Sequence, residues 1–242
     1  MTTTKKTSSP AMAVPTALSV IAGVTDVTSW LLLGGFFSAH VTGNLVVIAA
    51  DTVTGARPGT ALLLAVPSFI IVTAIATVVA ARLGAKTPRS TYALLGAQAV
   101  FLIAAAILSF TGRASADPEH GIAIVIGICA VSAMAAQNAY LHLASPKTLS
   151  TAVMTGNLVG ATVSGMEIIV SRGRSDSARA QWTQTWPLIV GFLGGCVVGA
   201  FGATLLSDHA AVVPAVLATV LLAGIVWNRR RSERGTSTDV IV

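Results

Sequence analysis

ALLLAVPSFIIVTAIATVVAA, residues 61–81, runs for 21 positions without a charged side chain and closes on Arg82. At 1.5 Å per residue such a stretch spans the ~30 Å hydrocarbon core of a bilayer as one α-helix. It lacks the period-two alternation of a barrel strand, so the helical reading wins. Working outward, similar apolar runs cover roughly residues 11–37, 40–50, 91–110, 121–143, 151–170, 187–206 and 210–228. The breaks between them carry turn or charge signals such as Pro58, Pro88, Pro146 and Asp208.

Composition agrees. Apolar residues make up 54% of the 242 positions and charged ones 10%, with a mean hydropathy of +0.80. A soluble domain needs roughly a quarter charged residues to cover its surface. The expected class is therefore an all-α polytopic membrane protein, with the lipid bilayer as its first partner. The net charge of +6 does not point to nucleic acid. Lys5, Lys6, Arg82, Lys86, Arg89, Arg172, Arg174, Arg179 and Arg229, Arg230, Arg231 and Arg234 lie at the ends of apolar runs, as topology determinants do. Trp182, Trp186 and Trp227 suit the interfacial aromatic belt.

The 40–50 run is too short to cross. If it and the 151–170 run do not cross, the N-terminus, the 82–89 loop, the 171–186 loop and the C-terminus share one side, which then holds nearly all the Lys and Arg. The positive-inside rule thus predicts about six transmembrane helices in the inner membrane, with both termini cytoplasmic.

Val41-Thr42-Gly43-Asn44-Leu45-Val46 and Met154-Thr155-Gly156-Asn157-Leu158-Val159 agree at five of six positions. Each follows an intramembrane polar site, Asp26 in the first case and Gln137-Asn138 in the second. Each precedes two further apolar runs. The expected organisation is a cytoplasmic tail (1–10), a first membrane repeat (11–112), a second (113–228) and a basic tail (229–242). With three spans per repeat, the copies are inverted about an axis in the membrane plane. The two Thr-Gly-Asn half-helices then approach from opposite faces, toward a midplane polar site. Thr and Asn can satisfy backbone groups freed where a helix breaks, or present polar groups to a cavity. The N–H groups at a half-helix start can also bind an anion. Alternatively the twinned motifs lock the halves together by hydrogen bonds.

These motifs resemble those of the YoaK-like bacterial membrane proteins, domain-of-unknown-function family 1275. The resemblance rests on Gly23-Val24-Thr25-Asp26, on residues 31–37 (LLLGGFF), on His40 to Asn44, on Gln137-Asn138-Ala139 and on Met154 to Asn157. It implies an integral, six-span bacterial membrane protein and supplies no reaction.

Asp26 is the only charged side chain between Ser8 and Ala50. A carboxylate deep in a membrane helix costs roughly 2.5–3.5 kcal/mol on insertion scales unless paired, protonated or hydrated. The candidate site for a small solute or ion is Asp26, Thr42, Gly43, Asn44, Gln137, Asn138, Thr155, Gly156 and Asn157. His40 and His142 are expected at the interface, and Glu167 in a surface ion pair with Arg172 or Arg174. Gly191, Gly195 and Gly199 form a GxxxGxxxG ridge for close helix packing, inside the chain or in a homo-oligomer. Cys129 and Cys196 read as packing residues. No metal or cofactor spacing and no nucleophile–base pair stands out, so an enzyme is not expected. Transport of a small solute or ion ranks first, and a non-transporting scaffold or accessory subunit second.

Overall fold

A computed structural model describes residues 10–144 and 154–238. Among them every regular element is helical: α1 (Pro10–Leu32), α2 (Gly43–Thr54), α3 (Thr60–Leu83), α4 (Pro88–Leu108), α5 (Gly121–Ala144), α6 (Met154–Val170), α7 (Asp176–Leu206) and α8 (Val212–Thr238), with a 3₁₀ turn at Ser207–Ala211 between the last two. Five helical stretches are long and apolar enough to cross a bilayer, so the chain is of the multi-pass α-helical membrane class. The last of these, Asp176–Glu233, holds both α7 and α8. Helices α2 and α6 are apolar but shorter than the rest.

Side-chain contacts fix the directions. Helix α1 meets α7 in register, Thr16 with Gly191, Val20 with Gly195 and Val24 with Gly199, so the two run parallel. Helix α8 follows the 3₁₀ turn, which itself packs on α1, back along α1, and Val14, Val20, Leu217 and Leu221 share one groove between the two. The chain thus reverses at Ser207, whose φ is +50°. Helices α3 and α5 form a second parallel pair, with Ala61 against Gly127 near one end and Ala76, Ala80 beside Ala139, Leu143 near the other. Helix α4 packs on α5 and α8. The most enclosed helices are α1 and α5, while α3 leaves Ile70, Ile71 and Ile75 outward.

One end of the bundle is tied by loop contacts. Glu119 accepts the Thr60 backbone N–H and hydroxyl, Asp208 accepts the Ser115 N–H, and Pro118 covers Gly34. The strongly basic turns lie away from this end.

The boundaries differ from expectation in two places. Helix α7 begins at Asp176, so Trp182 and Trp186 stand on a helix, stacked at 5.4 Å, and not in a loop. Its start is capped by Ser175, whose hydroxyl accepts the Ala178 N–H. Helix α8 likewise runs on through Thr238, past the expected tail boundary at 228. The expected Glu167 ion pair with Arg172 or Arg174 is not formed among the described residues. Glu167 takes the Ser175 hydroxyl at 2.6 Å, because the tight 171–175 turn brings Ser175 over the end of α6.

The GxxxGxxxG ridge is used inside the chain. A Cβ on Gly191 would lie 2.9 Å from the Thr16 carbonyl oxygen and one on Gly199 2.8 Å from that of Val24, while one on Gly195 would overlap the Val20 carbonyl. Gly23 fits the Phe192 carbonyl in return. All three ridge glycines are buried against α1, so of the two uses expected for the ridge, packing inside the chain is the one these contacts serve. Close approach trades side-chain volume for dispersion and weak hydrogen bonds in a solvent without hydrophobic drive. Gly195→Ala is therefore expected to destabilise the protein by about 1–3 kcal/mol, the cost of overpacking a tight contact. Gly194→Ala, where a Cβ meets nothing within 4 Å, is the control, and SDS-titrated unfolding in mixed micelles measures both.

Candidate functional site

Gly34 and Gly35 have φ of +86° and +78°, a left-handed pair that turns the chain sharply back after α1. The returning segment, residues 33–42, is not helical, yet Phe36, Ser38 and Ala39 are almost wholly buried. Non-helical backbone at membrane depth is tolerated only where the protein satisfies it. Two side chains do so here.

Asp26 is 3% exposed, about 9 Å along the helix from the end of α1 at 1.5 Å per residue. Its Oδ1 accepts the Ser38 N–H at 2.8 Å, the Ala39 N–H at 2.6 Å and the Ser38 hydroxyl at 3.3 Å. Its Oδ2 meets His40 Nδ1 at 2.5 Å. Asn44, fully buried, closes the loop from the other side: its Oδ1 accepts the Phe37 N–H and its Nδ2 donates to the Phe37 carbonyl, both at 2.8 Å.

The N–H groups at the start of α2 were expected to be open to an anion, and they are not. Gly43, Asn44 and Leu45 donate to the carbonyls of His40, Val41 and Thr42. A tight turn feeds directly into the helix and uses them. Thr42 makes no side-chain cap.

The Asp26–His40 pair lies beside a cavity of about 600 Å³ between α1, α7 and the loop, lined also by Trp30, Phe37, Thr42 and Phe192. Phe37 stacks on Trp30 at 4.8 Å, and the His40 ring stands edge-on to Phe192 at 4.9 Å. His40 was expected at the interface. It turns inward instead because the loop carries it back onto the carboxylate.

The second half is built alike but filled differently. In each motif Asn is buried while Thr and the following Leu-Val are exposed, so Asn44 and Asn157 point inward and Thr42 and Thr155 do not. Gly156 is exposed at the start of α6. Residues 145–153, which lead into this motif, lie outside the described residues. Asn138 and His142 line a smaller cavity of about 250 Å³ with Phe69, Thr73 and Thr77, on the α3–α5 side. Gln137 lines neither cavity. It accepts from Gln98 at 2.7 Å and donates to the Leu18 carbonyl at 3.0 Å, tying α4, α5 and α1 in the core.

The nine candidate residues are thus not gathered round one midplane cavity. Asp26, Thr42 and Gly43 share the larger one, Asn138 lines the smaller, and Gln137, Asn44 and Asn157 are interior. Sequence reading missed Gln98, the aromatic lining and the pairing of His40. The Gly34-Gly35 pair was the available signal for the last, since it announces a reversal that returns residues 38–40 to α1. The described residues hold no group of three or more His, Cys, Asp or Glu that could bind a metal.

The fold and these motifs define a helical membrane protein with a buried, carboxylate-held re-entrant loop. The chain belongs to the family described as Protein of unknown function (DUF1275), whose model matches residues 14–224. No curated protein and no solved structure matches it.

Asn44 carries two hydrogen bonds to buried backbone and Thr42 none. Asn44→Ala is expected to lower unfolding stability in detergent by about 1–3 kcal/mol. Thr42→Val should stay within about 0.5 kcal/mol of the wild type in the same measurement.

Proposed function

We propose that this protein is a small-solute or ion transporter of the bacterial inner membrane, with the first half's cavity as its binding site. The observation that carries this reading is the Asp26–His40 pair beside a cavity of about 600 Å³ in a membrane helix bundle. A charge there is costly and is kept where it serves a solute, ion or proton pathway.

The same proposal includes six crossings, both termini cytoplasmic and two inverted repeats. Its support is the packing pattern. Exchanging α1–α4 for α5–α8 turns the parallel pair α1/α7 into the parallel pair α5/α3, and the contact α4/α5 into α8/α1. The α4/α8 and α1/α5 contacts map onto themselves. Both α3 and α7 also carry an internal proline, Pro67 and Pro187. The opposite directions of α7 and α8 supply the sixth crossing.

One observation favours the scaffold reading. Every polar atom of Asp26 and Asn44 has a partner within the chain, as a sealed packing device would. Reaction of the half-buried native Cys196, which lines the cavity, with a small aqueous thiol reagent in a Cys129→Ala background separates the two, since labelling there requires a wet cavity and a sealed scaffold stays silent.

Two further outcomes are expected in a Cys129→Ala/Cys196→Ala background for labelling and in liposomes for flux. Ser115→Cys should react with an impermeant maleimide in intact cells and Lys86→Cys only after permeabilisation; external labelling at Lys86 would reverse the orientation. Asp26→Asn should reduce any protein-dependent flux at least tenfold, as losing one desolvated charge contact of about 1.4 kcal/mol or more implies. Undiminished flux would remove Asp26 from the site.

A further inference from the structure

We infer that the Asp26 cavity binds an organic cation with a large apolar body; this rests on the reading of that cavity as the transport site and names its class of solute. The volume, about 600 Å³, falls in the range of roughly 300–1,000 Å³ usual for small-molecule sites. The lining is largely apolar and includes the rings of Trp30, Phe37, Phe192 and His40. No Lys or Arg lines it, and Asp26 is its one acidic residue.

Charge selects among solute classes. Asp26 is the one carboxylate in a largely apolar enclosure, where screening is weak, and the lining holds no Lys or Arg. An anion would meet that carboxylate with no Lys or Arg beside it, and the His40 ring nitrogen that faces the carboxylate is already engaged by it. A bare inorganic cation needs a shell of several oxygens, and the lining offers only Asp26 and Thr42 side-chain oxygens. A neutral apolar solute would gain nothing from the carboxylate. A cation that carries its own apolar shell needs no oxygen cage, gains from the aromatic faces and is balanced by Asp26.

The carboxylate has capacity left for it. A carboxylate has about four lone-pair sites, and His40 is the partner on Oδ2. The Ser38 and Ala39 N–H groups hold the other oxygen and fix the orientation of the carboxyl group. Access fits as well. Trp30 and Leu31, on the last turns of α1, are 43% and 52% exposed, so the cavity opens sideways near the helix end. An amphiphilic cation enriched among the headgroups meets it there.

The test is equilibrium binding of radiolabelled tetraphenylphosphonium to the purified protein in dodecyl maltoside. Saturable binding is expected, at least tenfold weaker in Asp26→Asn, whereas radiolabelled tetraphenylborate presented alone, which has the same shape and opposite charge, is expected not to bind. Because Asp26 also holds the loop, Phe192→Leu is the second variant: it removes a ring, touches no loop hydrogen bond, and should weaken binding about two- to fivefold. Binding of tetraphenylborate in place of the cation, or wild-type affinity in both variants, overturns the inference. Displacement of the probe by phosphatidylethanolamine but not phosphatidylglycerol identifies a lipid amine as the source of the cation, and indifference to both identifies a free solute; either keeps the site cationic. An Asp26-dependent flux of an anion or inorganic ion, without phosphonium binding, leaves transport standing and removes the cation class.

Discussion

A non-helical segment folded back into a membrane helix bundle carries peptide groups that lipid cannot satisfy, and the carboxylate of Asp26 is this protein's answer. One side chain gathers two backbone N–H groups, a hydroxyl and an imidazole from residues 38–40. Asn44 answers the same constraint at Phe37 with a single amide that both donates and accepts. Without these bonds the turn at Gly34-Gly35 would bury unpaired backbone, each such group costing several kcal/mol in hydrocarbon. The loop, the start of α2 and the walls of the large cavity all follow from where those two side chains hold the chain.

That loop also needs a fixed wall, and the glycine ridge of α7 supplies it. Gly191, Gly195 and Gly199 let α7 lie against α1 with carbonyl oxygens where Cβ atoms would stand. The spacing of four matches successive turns of both helices, which is why a parallel pair can keep such contact over about two turns. Phe192 and Cys196, next to these glycines, are carried to the cavity and face Asp26 across it. Close packing and the cavity are therefore two faces of one helix contact. Movement between α1 and α7 would destroy both, so any opening of the cavity falls to the loop or to the other helix pair.

The sequence made the class of fold legible because lipid solvation leaves a blunt mark: long apolar runs closed by Arg, Lys or Pro. Six of the eight α-helices match such runs to within a few residues, and the reading of the short 40–50 run as a half-helix matches α2. Helix α7 extended further because Ser175 caps it and because amphiphilic Gln181, Trp182 and Thr185 pack on Gly160 and Gly165 of α6, a tertiary contact that no local pattern announces. The motif itself was legible, but its division of labour was not. Which of Thr, Gly and Asn points inward depends on the entry angle of the chain, and that angle is set by residues 34–40. Gln98 escaped notice because a lone Gln in an apolar run carries no sign of its partner 39 positions away.

The two halves differ where it matters most. Both bury the motif Asn, and both form a parallel helix pair with a cavity beside it. Only the first places a carboxylate there. At the corresponding place the second has Asn138 and Ala139, with neutral hydroxyls from Thr73 and Thr77 across the smaller cavity. A neutral polar cluster can hold a turn by hydrogen bonds nearly as well as a carboxylate can, as Asn44 demonstrates with the Phe37 backbone. Holding a turn therefore does not by itself require the charge. What Asp26 adds is a carboxylate at the cavity wall whose two oxygens gather residues 38–40, with His40 as the partner on Oδ2, and the second half has no acidic residue at its cavity to match it.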